Sequence, residues 1–272
     1  MMDNKCRIGI DVGGTFTDIV AVSDTGTVTF SKAASTPNDP SIGVMNAVER
    51  LADELGINSE TLLSKTESIV HGTTVATNAL LERKGAKTGL LTTLGHRDVL
   101  EMREGLKDDR YNMRLPAPAP LVPRFLRLGV RERIKPDGSI HTKLDNTSLD
   151  EAINKLREEK VTSVAVCYLH AYKEPKHEQE TKQILEAKLP GVSVSISSEV
   201  FPEIKEYERV STTIVNAYVR PIVENYLNRL EERLKNAGYK GSVLIILSHG
   251  GVAPIEEAIR LSAATVLSGP AG

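Results

Sequence analysis

Residues 9–22, Gly-Ile-Asp-Val-Gly-Gly-Thr-Phe-Thr-Asp-Ile-Val-Ala-Val, constrain this chain more than any other stretch. Apolar residues alternate on both sides of Gly13-Gly14, so two short strands meet at a tight turn. A strand follows the turn where Walker and dinucleotide-binding loops have a helix, and no Gly-Lys-Ser/Thr ending is present. Gly13 and Gly14 lack a Cβ, so their backbone amides can approach an anion closely. Thr15 and Thr17 add hydroxyls, and Asp11 and Asp18 put a carboxylate on each side. Donors for an anion beside carboxylates make sense where a metal accompanies the anion. That combination points to a nucleotide phosphate with magnesium, Asp11 holding the ion through water. The same residues also suit a plain Gly-Gly hairpin turn with polar flanks.

The 272 residues suffice for two domains or one large one, and 40% of them are apolar. A net charge of −2 gives no global field to recruit nucleic acid or an anionic membrane. Trp is absent and aromatics make up 4%, which argues against base-stacking platforms. The two cysteines, Cys6 and Cys167, sit in or beside strand-like runs and read as reduced core thiols of a cytoplasmic protein. No apolar stretch reaches membrane-spanning length, and the strand close to the first residue leaves no room for a secretory signal.

Further along, Asp39-Pro40 opens a helix that Gly56 ends, with Ile42, Met45, Val48, Leu51, Ala52 and Leu55 as its apolar stripe. Ser68–Val70 reads as a strand, His71-Gly72-Thr73-Thr74 as the junction after it, and residues 75–83 as a helix. Strands are expected at 87–92, 127–134, 161–169, 192–196 and 243–247. Ser148-Leu149-Asp150-Glu151 reads as a capping box opening a helix to Glu159. A helix is expected at 175–189, and another at 207–237, bent or broken at Pro221. Prolines 116, 118, 120 and 123 exclude a regular helix between 104 and 123. This alternation predicts an α/β fold. The closing Ser268-Gly269-Pro270-Ala271-Gly272 looks cut within a turn.

Five segments taken together resemble the hydantoinase/oxoprolinase family: GIDVGGTFTDIVAV (9–22), HGTTVATNALLERKGAKTGLLTTLGHRDVLEMREG (71–105), PLVPRFLRLGVRERI (120–134), SSEVFPEIKEYERVSTTIVNAYVRP (197–221) and VLSGPAG (266–272). The resemblance implies a ribonuclease-H-like mixed sheet flanked by helices, of the actin, sugar-kinase and chaperone-ATPase superfamily, with a second α/β region. It implies an N-terminal domain over 1–190 and the start of a hydantoinase A catalytic domain, truncated, over 197–272. The activity implied is ATP-dependent hydrolysis of a cyclic amide, a hydantoin or 5-oxoproline, through a phosphorylated intermediate. An ATP-dependent ketone carboxylase subunit and a nucleotide-binding scaffold without turnover are the alternatives.

By the same resemblance, Asp11 positions Mg2+ or its water, and Gly13, Gly14, Thr15 and Thr17 line the ATP phosphates, with Asp18 orienting the turn. His71 and Thr73 join Asp11 as catalytic candidates, and Gly72 and Thr74 as cofactor-binding ones; alternatively Thr73 caps the next helix and His71 packs locally. The family's second phosphate loop and adenosine pocket lie downstream, so this portion is expected to hold half the nucleotide site and to be inactive alone. A hydantoinase B-type partner subunit or fused domain and an oligomer are implied, with no nucleic acid or membrane partner.

Arg103, Glu104, Lys107, Asp109 and Arg110 offer substrate contacts but suit a solvated charge run better. His249 departs from the family's usual Asn and reads as a turn histidine. Glu203, Glu206, Tyr207, Glu208 and Arg209 suggest lobe or subunit contacts. The six histidines show no HxH or HExxH spacing, so no catalytic transition metal is predicted.

Overall fold

The computed structural model describes residues 5–105, 109, 111–116 and 118–268. The chain divides into two compact units, Met1–Glu82 with Ile222–Gly272, and Arg83–Pro221.

The first unit is built on β1 (Cys6–Val12), β2 (Phe16–Ser23) and β3 (Val28–Ala34), an antiparallel meander, with β4 (Thr66–Thr73) parallel to β1 on its other side. Strands β11 (Ser242–Ile246) and β12 (Val252–Pro254) complete a six-stranded sheet of order β12-β11-β4-β1-β2-β3. Period-two alternation gives this sheet two unlike faces. Ile8, Ile10, Val12, Ile19, Ala21 and Ile69 are buried on one of them. Helix α1 (Pro40–Glu54) packs there, and Val44, Ala47, Val48, Leu51 and Ala52 are buried along it. Its start follows from sequence: Asp39 accepts the Ser41 amide at 3.2 Å and Pro40 occupies the first turn. The opposite face carries Gly9, Asp11, Asp18, Val20, Phe30 and Gly72, and Phe30 is 70% exposed.

The second unit holds a parallel sheet of order β10-β9-β5-β6, from β5 (Thr88–Thr93), β6 (Arg127–Val130), β9 (Ser163–Cys167) and β10 (Ser193–Ile196). Every residue of β5 and β9 is buried, as expected where a parallel sheet is covered on both faces. Helices α5 (Asn146–Glu158) and α6 (Lys176–Lys188) supply Leu149, Ile153, Leu156 and Leu185 to the core. The fully buried Glu178 on α6 is held by donors from three places: the Tyr168 amide at 2.9 Å, the Ser197 hydroxyl at 2.6 Å and the Ser198 amide at 2.8 Å. Burial pushes its pKa up. Its oxygens are therefore in use as structural acceptors.

Several expectations change. Strand β4 runs through His71, Gly72 and Thr73, so the segment read as a junction is strand, paired Ile10↔His71, Asp11↔Gly72 and Val12↔Thr73. Helix α3 (Val75–Leu81) begins directly after Thr74. The cap of α5 is Asp145, which accepts the Ser148 amide at 3.0 Å, so Ser148 lies in the first turn and no capping box forms. Residues 127–134 split into β6 and β7 (Arg133–Ile134), the latter paired in a separate hairpin with β8 (Ile140–Thr142). Helix α2 (Ser59–Lys65), capped by Asn58, and β12 were not among the expected elements. Helix α8 (Glu206–Asn236) passes Pro221 unbroken, its missing amide outweighed by burial on both sides of it, at Ala217 and Val219 and at Val223 and Leu227. Lys107, Arg110 and the closing residues 269–272 lie outside the described residues.

Candidate functional site

The β1–β2 turn is braced from below. The Gly13 amide donates to the Phe16 carbonyl at 3.0 Å. The Ser35 hydroxyl donates to the Gly13 carbonyl at 2.8 Å, and the Ser35 amide to the Thr15 carbonyl at 3.0 Å. With those carbonyls occupied, Gly14 and Thr15 stay exposed. Thr17 differs from its neighbours: it is 0% exposed, shares a 3.1 Å hydrogen bond with Ser35 Oγ, and stands where a Cβ on Gly43 would come within 3.3 Å. It is on the face covered by α1.

Asp11 and Asp18 are direct cross-strand partners in the antiparallel β1–β2 pair. Their side chains therefore share a face. Partial burial, and then the Asp18 charge, raise the Asp11 pKa. Lys32 reaches Asp18 at 3.0 Å and lies 4.6 Å from the Phe16 ring centroid. Gly72 leaves room for the carboxylate, because a Cβ there would stand 3.2 Å from Asp11 Oδ1. A cavity of about 1090 Å³ opens on this face, with Asp11, Asp18, Lys32 and Gly72 among its walls.

His71 and Thr73 alternate with Gly72 and face the covered side. His71 is 0% exposed, and its Nε2 and the Tyr226 hydroxyl hydrogen-bond at 2.7 Å. Burial drives its pKa down to about 4, so the imidazole is neutral. Among the described residues the only group facing its Nδ1 is the Ile10 backbone, too poorly aligned for a good hydrogen bond. Thr73 is 1% exposed and its hydroxyl accepts the Val75 amide at 3.3 Å. The Thr74 hydroxyl donates to the Val12 carbonyl at 3.1 Å, fixing the start of α3 beside the hairpin turn. The structure thus brings Asp11, Asp18 and Gly72 together on one face, with Gly13, Gly14 and Thr15 in the adjoining turn. It places Thr17, His71 and Thr73 on the opposite face.

His249 accepts the Gly251 amide at 3.2 Å within an exposed turn. Arg209 is buried, and its guanidinium donates to the Glu203 and Tyr168 carbonyls at 3.0 and 3.1 Å. Among the described residues, no group of three or more His, Cys, Asp or Glu side chains is arranged to hold a metal. The paired carboxylates of Asp11 and Asp18 are hard oxygen donors, and magnesium, which keeps most of its waters, suits such a sparse set. No helix among the described residues is long and apolar enough to cross a membrane.

The 3-2-1-4 core of a meander continued by a parallel strand, with the carboxylate-flanked turn at its β1–β2 end, defines a ribonuclease-H-like fold of the actin-like ATPase type. Residues 7–189 match the hydantoinase/oxoprolinase N-terminal region and residues 209–272 match hydantoinase/oxoprolinase, so the chain belongs to the hydantoinase/oxoprolinase family. It is 40% identical over 273 residues to the caprolactamase subunit alpha of Pseudomonas jessenii, covering 100% of this chain and 39% of that one. A crystal structure of ATP-dependent caprolactamase from the same organism superposes with a TM-score of 0.88 at 39% identity, over 97% of this chain and 39% of that one. Nucleotide-free acetone carboxylase, described in terms of ATP-dependent acetone carboxylation, superposes with a TM-score of 0.89 at 28% identity, over 98% of this chain and 39% of that one. The chain spans about two fifths of the length of these relatives.

Proposed function

We propose that this chain forms the N-terminal part of an ATP-dependent enzyme that opens a cyclic amide, and that its β1–β2 turn is one half of the nucleotide site. The observation that carries the reading is the Asp11–Asp18 pair beside a braced turn that leaves Gly14 and Thr15 exposed. In this reading the turn amides hold the ATP phosphates, and Gly72 keeps the space beside Asp11 clear. Asp11 and Asp18 would hold Mg2+, which supplies charge neutralisation at the transferring phosphoryl group. The terminal phosphoryl goes to the amide oxygen. Water then adds to the activated carbon, the ring C–N bond breaks as the nitrogen takes up a proton, and a second water cleaves the resulting acyl phosphate to the free acid and phosphate.

Thr17, His71 and Thr73 act here by positioning. The neutral His71 and Tyr226 pin β4 to α8, and Thr73 and Thr74 fix the entry to α3. A buried imidazole held near pKa 4 is a poor proton shuttle at neutral pH. The sequence division into 1–190 and 197–272 fits an N-terminal domain followed by the start of a catalytic domain. A partner subunit or fused domain, an oligomer and a cytoplasmic location complete the proposal. Identity of 40% to a caprolactamase subunit supports a lactam, and 37% to an acetophenone carboxylase subunit keeps the ketone carboxylase as the alternative.

The test is phosphate release by the full-length protein with any partner subunit, ATP and Mg2+, in the presence of ε-caprolactam, N-methylhydantoin or 5-oxoproline. Release stimulated by one of these supports the reading. Stimulation only by a ketone with bicarbonate transfers the protein to the carboxylase alternative.

A further inference from the structure

The second unit carries a group of polar side chains that the nucleotide site does not use. It lies at the carboxyl ends of the parallel strands β5 and β9, paired Thr92↔Cys167 at their last common rung. Such ends are where open α/β sheets bind ligands. Just beyond them the chain presents His96 and His170. The buried Thr93 hydroxyl knits the base, accepting the Leu169 amide at 2.9 Å and donating to Glu132, whose other oxygen meets His177 Nδ1 at 2.8 Å. In β7 Ile134 is buried and Arg133, on the other side of the strand, is half-buried.

Arg133 Nη1 stands 3.1 Å from His96 Nε2. A guanidinium only donates, so His96 Nε2 is the acceptor and the proton sits on Nδ1. Glu206, the first residue of α8, bears electrostatically on both His96 and His170. Tyr172 faces His170 edge-on, with ring centroids 5.9 Å apart, and Arg209 stacks 5.2 Å from the Tyr172 centroid. Arg209 is 1% exposed, and its Nε has no hydrogen-bond partner among the described residues. Among the described residues, three of the six non-glycine residues with positive φ border this corner: Arg103 at 52°, His170 at 58° and Lys205 at 82°. Lys205 feels Glu104, next to Arg103, and adjoins Glu206. Strain of this kind persists where surrounding contacts hold it, and it gathers at binding sites.

The mixture of groups limits the ligand. Arg133 occupies the His96 lone pair, which disfavours a metal, in keeping with the absence of a metal-holding group among the described residues. The negative charge of Glu206, felt by both imidazoles, disfavours a simple anion. A neutral planar group with a carbonyl beside an N–H satisfies both kinds of partner. We propose that His96, Arg133, His170, Tyr172 and Glu206 bind the amide group of the substrate, Arg133 and Tyr172 donating to its carbonyl oxygen and Glu206 accepting from its N–H. This rests on the reading of the protein as a cyclic amide enzyme. It adds where the amide is held and by which residues.

The test is calorimetric titration of the full-length enzyme with ε-caprolactam and hydantoin, and separately with a non-hydrolysable ATP analogue. Glu206→Gln and His170→Asn are compared with the parent; Asn tolerates the left-handed backbone at 170. Each is expected to weaken binding of the cyclic amide about tenfold or more and to leave ATP-analogue affinity within about twofold, since neither residue belongs to the nucleotide half-site. Unchanged amide affinity in both variants overturns the proposal, as does a parent enzyme that binds nucleotide but neither amide. Binding of acetate or bicarbonate, and not the amides, weakened by the same variants overturns the ligand class. A parent that binds amide at these residues but binds no ATP overturns the nucleotide reading and leaves this site standing.

Discussion

The two sheets answer the same problem in opposite ways. In the first unit the sheet is a meander joined to parallel strands, with one face packed under α1 and the other open around Asp11, Asp18 and Phe30. In the second, every residue of β5 and β9 is buried. A one-sided sheet can place carboxylates mid-strand, opposite each other, because water reaches them. A two-sided sheet cannot, since an unpaired charge there costs several kcal/mol. Its polar side chains collect past the strand ends, as His96 and His170 do, or are fully committed, as Glu178 is. Where functional groups stand is thus set by how many faces a sheet must bury.

The sharpest way to break this comparison is at Asp11. Asp11→Ala is expected to lower Mg-ATP turnover of the full-length enzyme by about 10³-fold or more, while its melting temperature stays near the parent's. Near-normal phosphate release would remove the open face from the chemistry. The covered face responds instead to acid. His71 is held near pKa 4 in the fold against 6.5 when exposed, so the unfolded chain takes up the extra proton between those values. Stability is then full above pH 6.5 and falls as pH drops toward 4, by a few kcal/mol at most. Denaturant titrations of the parent and His71→Gln across that window test this; an equally steep loss in the variant would place the titration elsewhere.

Smaller effects probe packing. A Cβ on Gly89 would stand 2.3 Å from the Leu156 side chain, inside a core with both faces covered. Gly89→Ala should cost about 1–3 kcal/mol by overpacking, read from urea midpoints. The smallest change is expected at Lys32, whose ion pair with Asp18 and contact with Phe16 lie in solvent on the open face. Lys32→Ala should shift stability by no more than about 1 kcal/mol. A larger loss would mean that this face is packed against something in solution.

The hairpin and α1 were legible because their signals are local: alternation across Gly13-Gly14, and Asp39-Pro40 before an apolar stripe. The interruption at His71-Gly72-Thr73 misled because glycine and threonines read as loop, whereas in β4 they are dictated by neighbours far along the chain, Asp11 beside Gly72 and Tyr226 beside His71. Thr17 likewise matched a phosphate-loop pattern, but strand parity turns it inward. At Ser148 two caps were available three residues apart, and Asp145 took the role. The corner of His96, Arg133, His170 and Glu206 was not legible as one cluster: His96, Arg133 and Glu206 each lie in a different family-like segment, and nothing local in the sequence ties those segments together. That His96 and His170 meet follows once strands β5 and β9 are known to be parallel neighbours.

The parity of β4 has a consequence for how this protein can change. His71 and Gly72 are adjacent in sequence yet answer to different solvents, one to the interior and one to the cleft. Losing or gaining one residue within Thr66–Thr73 would send the imidazole against Asp11 and leave a hole beneath Tyr226, damaging both sides in a single event. Drift in length along this part of the chain is therefore confined to the connections on either side of the strand.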